Sequence, residues 1–249
     1  MAVATFDVIV ETKNFEEKLS RLERLQLPFA RSLAANTAAF ETMGTLRAAL
    51  PLIFDRPTPF TVRGVGYRKG NKLSPAAEVF LSGDASKGTP PTDYLAHQIA
   101  GGRRKAKRGE RVLQRARILT ANEGYVPAAV KLDRYGNVPA RIIVQILSQI
   151  RAFGEEGFSA NQTDASKRRS AKKNRRKYFL VSRAGEGLPR GVYERYGPGL
   201  RNIKPVLLFV PLPTYQKRFD FPQLARDELR RRFVLAWPNA LRRALASAR

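Results

Sequence analysis

The side chains that most often carry out covalent or metal chemistry are scarce in this chain. It has one histidine, His97, and no cysteine, which removes thiolate metal sites, cysteine nucleophiles, disulfides and any centre built from several histidines. A histidine-based triad would have to use His97, which stands in DYLAHQIAGG, where the pattern points to helix packing. The adjacent acid pairs Glu155-Glu156 and Asp227-Glu228 are the candidates for magnesium. Neighbouring carboxylates on a helix point apart, however, and neither pair stands in a nuclease pattern, so both read as surface charge. There is no phosphate-binding GxxxxGKS or GxxxxGKT loop and no dinucleotide fingerprint. The sequence therefore leads us to expect no metal, no cofactor and no enzymatic activity.

What remains is ionic chemistry. Ser166 to Lys177, SKRRSAKKNRRK, carries eight bases and no acid, and Gly101 to Ile118, GGRRKAKRGERVLQRARI, carries eight bases against Glu110 alone. The first sixty residues, by contrast, hold seven bases and seven acids. The candidate contacts are Arg103, Arg104, Lys105, Lys107 and Arg108 in the earlier tract, and Lys167, Arg168, Arg169, Lys172, Lys173, Arg175, Arg176 and Lys177 in the later one. Residues 226 to 249 add seven arginines against two acids, and the whole chain has a formal charge of +25. Such an excess repels itself and attracts phosphates or acidic proteins. If all eight charges of the later tract met phosphates, counterion release would give a log-log salt slope of roughly −7. The polyanion is either a nucleic acid or the acidic face of a neighbouring subunit. Charge runs also occur as solvated loops, and Arg103 and Arg104 follow a helix end where cations are favoured in any protein.

Aromatics alternate with bases at Tyr67-Arg68, around Tyr193 to Tyr196 and from Tyr215 to Phe219. Such mixtures stack nucleobases or line protein interfaces, and without an RNA-recognition signature the interface reading is preferred. The segment GVYERYG, from Gly191, is similar to the Gly-x-Tyr strands of a small nuclease family, but turn and core roles account for its glycines and tyrosines.

The elements that must position these groups can be read from periodicity. Thr5 to Thr12 alternates as a half-buried strand, and Asn14 with Glu17 forms a capping box for a helix that Pro28 interrupts. A second helix is expected from Pro28 to about Leu50, its stripe formed by Phe29, Leu33, Phe40, Met43, Leu46 and Leu50, with an alanine-rich opposite face. Phe60 to Arg63 and Ala76 to Leu81 read as the strands of a hairpin around GVGYRKGNK, a docking arm. A helix from about Pro91 to Ala100 stops at Gly101 and Gly102. Residues 119 to 138 read as loop, and Pro139 opens a helix to about residue 153. Tyr178 to Arg183, Gly191 to Tyr196 and Lys204 to Val210 read as strands, the last central in a sheet. A final helix runs from about Pro222 and is kinked or broken at Pro238.

The expected fold class is α+β, an antiparallel or mixed sheet packed by long N-terminal and C-terminal helices. Residues 1–100 and 178–249 would form the core, and 101–177 a basic insertion with one helix, at about 139–153. No basic region followed by an apolar stretch opens the chain, and its longest apolar run, Pro205 to Pro211, is too short to span a bilayer. Neither a cleaved signal nor a membrane span is expected.

Three stretches carry a family resemblance: YLAHQIAGGRRKAKRGE from Tyr94, KLDRYGNVPARIIVQILSQI from Lys131, and VYERYG from Val192 followed by KPVLLFVPLPTYQKRFDF. Over about residues 30 to 249 the order of parts resembles the tail-completion and neck proteins of tailed bacteriophages, including the minor tail protein Z group. The resemblance implies a non-enzymatic virion protein, made in the host cytoplasm, that forms a homo-oligomeric ring at or near the head-tail junction. Its partners would be other neck, portal or tail proteins, with nonspecific contact to packaged DNA. Tyr67, Arg68, Tyr193, Tyr196 and Trp237 would then serve subunit contacts, with Phe209 in the core or a ring contact. The alternative is a host nucleic-acid-binding protein that grips phosphate backbones through its basic tracts.

Overall fold

Alanine-rich helices, short aromatic strands and glycine stops divide the chain into α1 (Arg21–Ile53), α2 (Pro59–Arg63), β1 (Val65–Arg68), β2 (Glu78–Leu81), α3 (Pro91–Ile99), α4 (Arg108–Arg115), β3 (Glu123–Pro127), α5 (Ala140–Gln149), α6 (Asp164–Lys172), β4 (Lys177–Val181), β5 (Gly191–Arg195), β6 (Ile203–Pro211) and α7 (Phe221–Ala246). The computed structural model describes residues 21–86, 88–153, 161, 163–172, 177–184, 187–196 and 202–247. The expected strand at Thr5 to Thr12, the Asn14 capping box and Glu155-Glu156 lie outside these residues. The fold is α+β with antiparallel sheets, and its long N-terminal and C-terminal helices pack on each other.

The chain forms two units, residues 1–102 with 215–249, and residues 103–214. The insertion is therefore longer than expected. Strands β4, β5 and β6 belong with the inserted unit, because they form one sheet with β3.

In the first unit α1 and α7 run antiparallel, and α1 buries both its alanines and half of its expected stripe. Leu27, Ala30, Ala34, Ala38 and Ala39 are buried together with Met43, Leu46 and Leu50 of the stripe, whereas Phe40 of the stripe is 56% exposed. Small side chains let two backbones approach closely, and α7 responds in kind with buried Ala225, Ala240 and Ala244 beside Phe221 and Leu229. That packing carries α1 through Pro28 and Pro51 and α7 through Pro238 without a break, so the expected interruption at Pro28 does not occur. A lost hydrogen bond and a ring clash cost about 3 kcal/mol per interior proline, which a long buried seam offsets.

Polar groups fix the register of the pair. Thr45 Oγ1 donates to Glu228 at 3.0 Å, Arg232 binds Glu228 at 2.7 Å and Glu41 at 2.9 Å, and Arg231 also reaches Glu228 at 2.7 Å. Hydrogen bonding from Arg231, against a smaller desolvation effect and aided by Arg232 and Thr45, pushes the Glu228 carboxyl down to about 2. A depressed carboxyl contributes stability above its unfolded value, and that stability is lost as pH falls through the folded value. Because the surrounding guanidinium groups are part-exposed, about 1–2 kcal/mol of stability should disappear between roughly pH 4.5 and 2. Thermal melts of Glu228→Gln should lack this part of the acid dependence.

Thr58 caps α2 through its side chain, which accepts from Thr61 N–H at 3.2 Å, and Pro59 opens the helix. This cap makes Pro59 to Arg63 helical where a strand was expected. The hairpin moves along accordingly, with Val65 opposite Leu81 and Arg68 opposite Glu78. Its connection is tethered: Asn36 of α1 exchanges two hydrogen bonds with the Gly70 backbone, at 2.9 and 3.0 Å. Leu73 at the tip is 97% exposed. Gly101 and Gly102, with φ of 77° and 91°, end α3 in backbone conformations that other residues rarely adopt.

The second unit is a four-stranded antiparallel sheet in the order β3-β6-β5-β4. The apolar strand β6 is interior, as its composition requires. Its pairing with β5 slips by one residue between Val192 and Tyr193, beside Pro205, where a missing N–H is tolerated. Leu113 of α4 and Ile142, Ile146 and Leu147 of α5 pack with Tyr125, Tyr178, Val192, Val206 and Leu207 of the sheet.

Candidate polyanion contact surface

The earlier basic tract folds into something more specific than a charged loop. Glu110 occupies the third position of α4 and its carboxylate accepts from the Lys107 backbone N–H at 2.6 Å, half of the reciprocal arrangement that starts a helix. The same carboxylate is fully buried, accepts from Tyr125 N–H at 3.1 Å and takes both forks of Arg104 at 2.7 Å. Desolvation raises its pKa, but the Arg104 hydrogen bonds and the two backbone donors outweigh it and leave the carboxyl below its ordinary value. Burial, followed by the Glu110 charge, pushes the Tyr125 phenol up to about 12. Arg104 is thus part of the interior, its side chain 10% exposed, and we leave it out of the contact surface.

With Glu110, Gly109 and Leu113 buried, the other side of α4 carries Arg108, Arg111 and Arg115, all exposed. At 100° per residue these three lie within about 60° of arc. Arg103 is exposed and donates to Asn122 Oδ1 at 2.7 Å, and Lys105 and Lys107 are exposed as well. Of the later tract, α6 presents Arg168 and Arg169 to solvent. Lys173, Arg175 and Arg176 lie outside the described residues, as do the side chains of Lys167, Lys172 and Lys177.

The expected subunit-contact residues separate. Tyr193 is 2% exposed, stacks on Phe179 with centroids 5.9 Å apart and donates its hydroxyl to Pro189 O at 2.9 Å, so it is a core residue and not a surface one. Tyr196 is 61% exposed, with the Lys204 ammonium 6.0 Å from its ring. Tyr67 is half-buried edge-on against Phe40, and Arg68 pairs with Glu78 beneath its exposed surface. Trp237 is half-buried and stacks on Phe233 at 5.7 Å. Phe209 is half-buried under the Arg190 guanidinium. His97 packs against Tyr215 with ring centroids 4.4 Å apart.

Neither a protein-family model, a curated protein nor a solved structure matches this chain.

The structure sorts the charges in a way that counting could not. Many arginines elsewhere are committed: Arg190 to Glu123, Arg231 and Arg232 to Glu228, Arg47 to the Val65 carbonyl, Arg226 to Gln223 and Arg242 to Asn239. Arg111, Arg115 and Arg117 were not picked out from the sequence as contact residues. Their signal was present, since Glu110 three residues after Lys107, followed by Val112 and Leu113, marks an amphipathic helix start. Among the described residues no three carboxylate or imidazole groups converge as metal ligands, and no helix is long and apolar enough to cross a membrane.

Proposed function

We propose that this chain is a non-enzymatic structural subunit of a tailed-phage virion, assembling as a ring at or near the head-tail junction and joining adjacent rings around the DNA channel. Its location would be the virion and its partners further copies of itself and neighbouring neck, portal or tail proteins. The observation that carries the reading is a second apolar stripe on α7. Beside the stripe buried against α1, Val234, Trp237, Leu241 and Leu245 recur at three- and four-residue steps, with Val234 69% and Leu245 39% exposed. A helix that is apolar on two sides needs a second neighbour. Leu73 on its tethered hairpin is a further apolar contact point. The resemblance of the three sequence stretches to tail-completion proteins supplies the setting.

Light scattering across a salt series tests this directly. Discrete oligomers that form without DNA and persist in high salt are expected, and Val234→Glu with Leu245→Glu should shift the mass towards the monomer. A chain that stays monomeric with acidic neck or tail components present would sink the ring. The second reading, a host nucleic-acid-binding protein, is favoured by the exposed arginines of α4. A monomer that binds random DNA with a steep negative salt slope would support it.

A further inference from the structure

We propose that the outer face of α4, formed by Arg108, Arg111 and Arg115, together with Arg117 just past its C-terminal end, is a binding site for the phosphate backbone of duplex DNA. This goes beyond the ring reading and stands or falls separately from it. Three observations converge. First, these four side chains are exposed, and among the described residues none of their guanidinium groups has an ion pair or hydrogen bond within the protein. Several arginines elsewhere are bound to carboxylates or carbonyls, as Arg190, Arg231 and Arg218 are, whereas this cluster retains its full capacity for anions.

Second, Arg117 is held at a backbone position that favours glycine. It follows the end of α4 with φ of 57°, where its N–H donates to Gln114 O at 3.0 Å and the next N–H, of Ile118, donates to Leu113 O at 2.9 Å. These two bonds make the helix-ending motif whose left-handed residue is usually glycine. Two other arginines have positive φ, Arg56 at 46° and Arg151 at 57°, and each pairs with an acid, Asp55 and Asp164 respectively. Arg117 carries the same backbone strain with no such partner. The helix dipole favours a cation in the last turn, but Arg115 already provides one, so the dipole does not call for an arginine in the strained position.

Third, the face lacks what a protein partner would need. The core of a protein interface is apolar and aromatic. None of the exposed large apolar residues, such as Val126, Leu132, Val144 or Tyr196 in this unit, lies on α4. The polar residue nearest the stripe, Gln114, is turned inward and donates to Glu123 O at 3.2 Å. No amide is presented to read base edges, and recognition by backbone charge alone is independent of sequence. Arginine forks suit phosphate oxygens.

The test uses the full-length chain and a fluorescein-labelled 30-base-pair duplex of random sequence, read by anisotropy across a salt series. Arg108→Gln, Arg111→Gln and Arg115→Gln together should weaken binding at least tenfold near 0.1 M salt and make the log-log slope shallower by about 2.7, at about 0.9 for each phosphate that is no longer neutralised. The corresponding lysine triple should keep the slope. An equal-charge control, Arg230→Gln, Arg242→Gln and Arg243→Gln on α7, should weaken binding clearly less, and equal effects from the two glutamine triples would overturn the proposal. Labelled poly-glutamate that binds ten times tighter than the duplex would also overturn it, in favour of an acidic protein surface. Arg117→Gly should raise the melting temperature and weaken DNA binding together, and a higher melting temperature with unchanged binding counts against the site. Light scattering on the same samples reports ring formation, so a failed ring leaves the DNA result readable.

Discussion

Replacing Glu110 by alanine is expected to destabilise the inserted unit by about 3–5 kcal/mol, the penalty for breaking a buried pair and leaving its partner charge uncompensated. The carboxylate serves four donors at once: both forks of Arg104 and the backbone N–H groups of Lys107 and Tyr125. Alanine offers none of them an acceptor, leaves the Arg104 charge stranded and frees the first turn of α4. Urea unfolding, with hydrogen exchange on β3 amides as the local reporter, measures the loss. Gly124 gives an internal check, because a Cβ there would lie 2.6 Å from Glu110 Oε1, 2.8 Å from Leu212 Cδ2 and 3.0 Å from the Arg104 guanidinium. Gly124→Ala should therefore be costly in the native chain and cheaper once Glu110 is alanine. Additive losses would show that the two positions do not share this pocket.

Phe219→Ala should cost the first unit a comparable amount, about 3–5 kcal/mol, as large-to-small changes at fully buried aromatics do. Phe219 is 0% exposed and meets Phe54 and Phe221 edge to face, each with centroids 5.8 Å apart. Its backbone N–H donates to Gln98 O at 3.0 Å, so the ring sits where α3, the end of α1 and the start of α7 meet. Alanine would leave a cavity lined by two phenyl rings that cannot both collapse into it. Because Trp237 is the only tryptophan and lies in this unit, its fluorescence follows the unit's unfolding. A midpoint within error of the native chain would show that the junction is far less cohesive than its packing implies.

Much of the fold was legible because its signals are local. α3, α5 and α7 follow from proline starts, glycine stops and three-to-four-residue periodicity, and β6 follows from a continuous apolar run that only an interior strand can bury. β3 was hidden because Gly124 and Pro127 look like turn residues, although Gly124 is there to make room for the Glu110 and Arg104 side chains. On α1 the stripe of large apolar residues and the alanine-rich face were both legible, and only tertiary approach decides which members of each are buried. Charge was the least legible feature. The sequence places Arg104 and Arg108 in one tract, yet one is interior and the other exposed, and the difference lies in a single acid, Glu110, that composition counts as a minor offset.

The division of the first unit between the two ends of the described chain has a consequence for how the protein comes into being on the ribosome. α1 emerges early with Leu27, Leu46, Leu50 and its alanine row exposed, while α7, which must cover them, begins only at Phe221. Residues 103–214 can complete their four-stranded sheet and helices in the meantime, since they form a compact unit of their own. Domains of this kind finish in order of synthesis, and contacts spanning a long separation form late. The nascent chain therefore passes through a stage in which a folded, strongly basic unit trails an uncovered apolar helix. At that stage the chain is open to holding by chaperones and to exchange of α7 between copies.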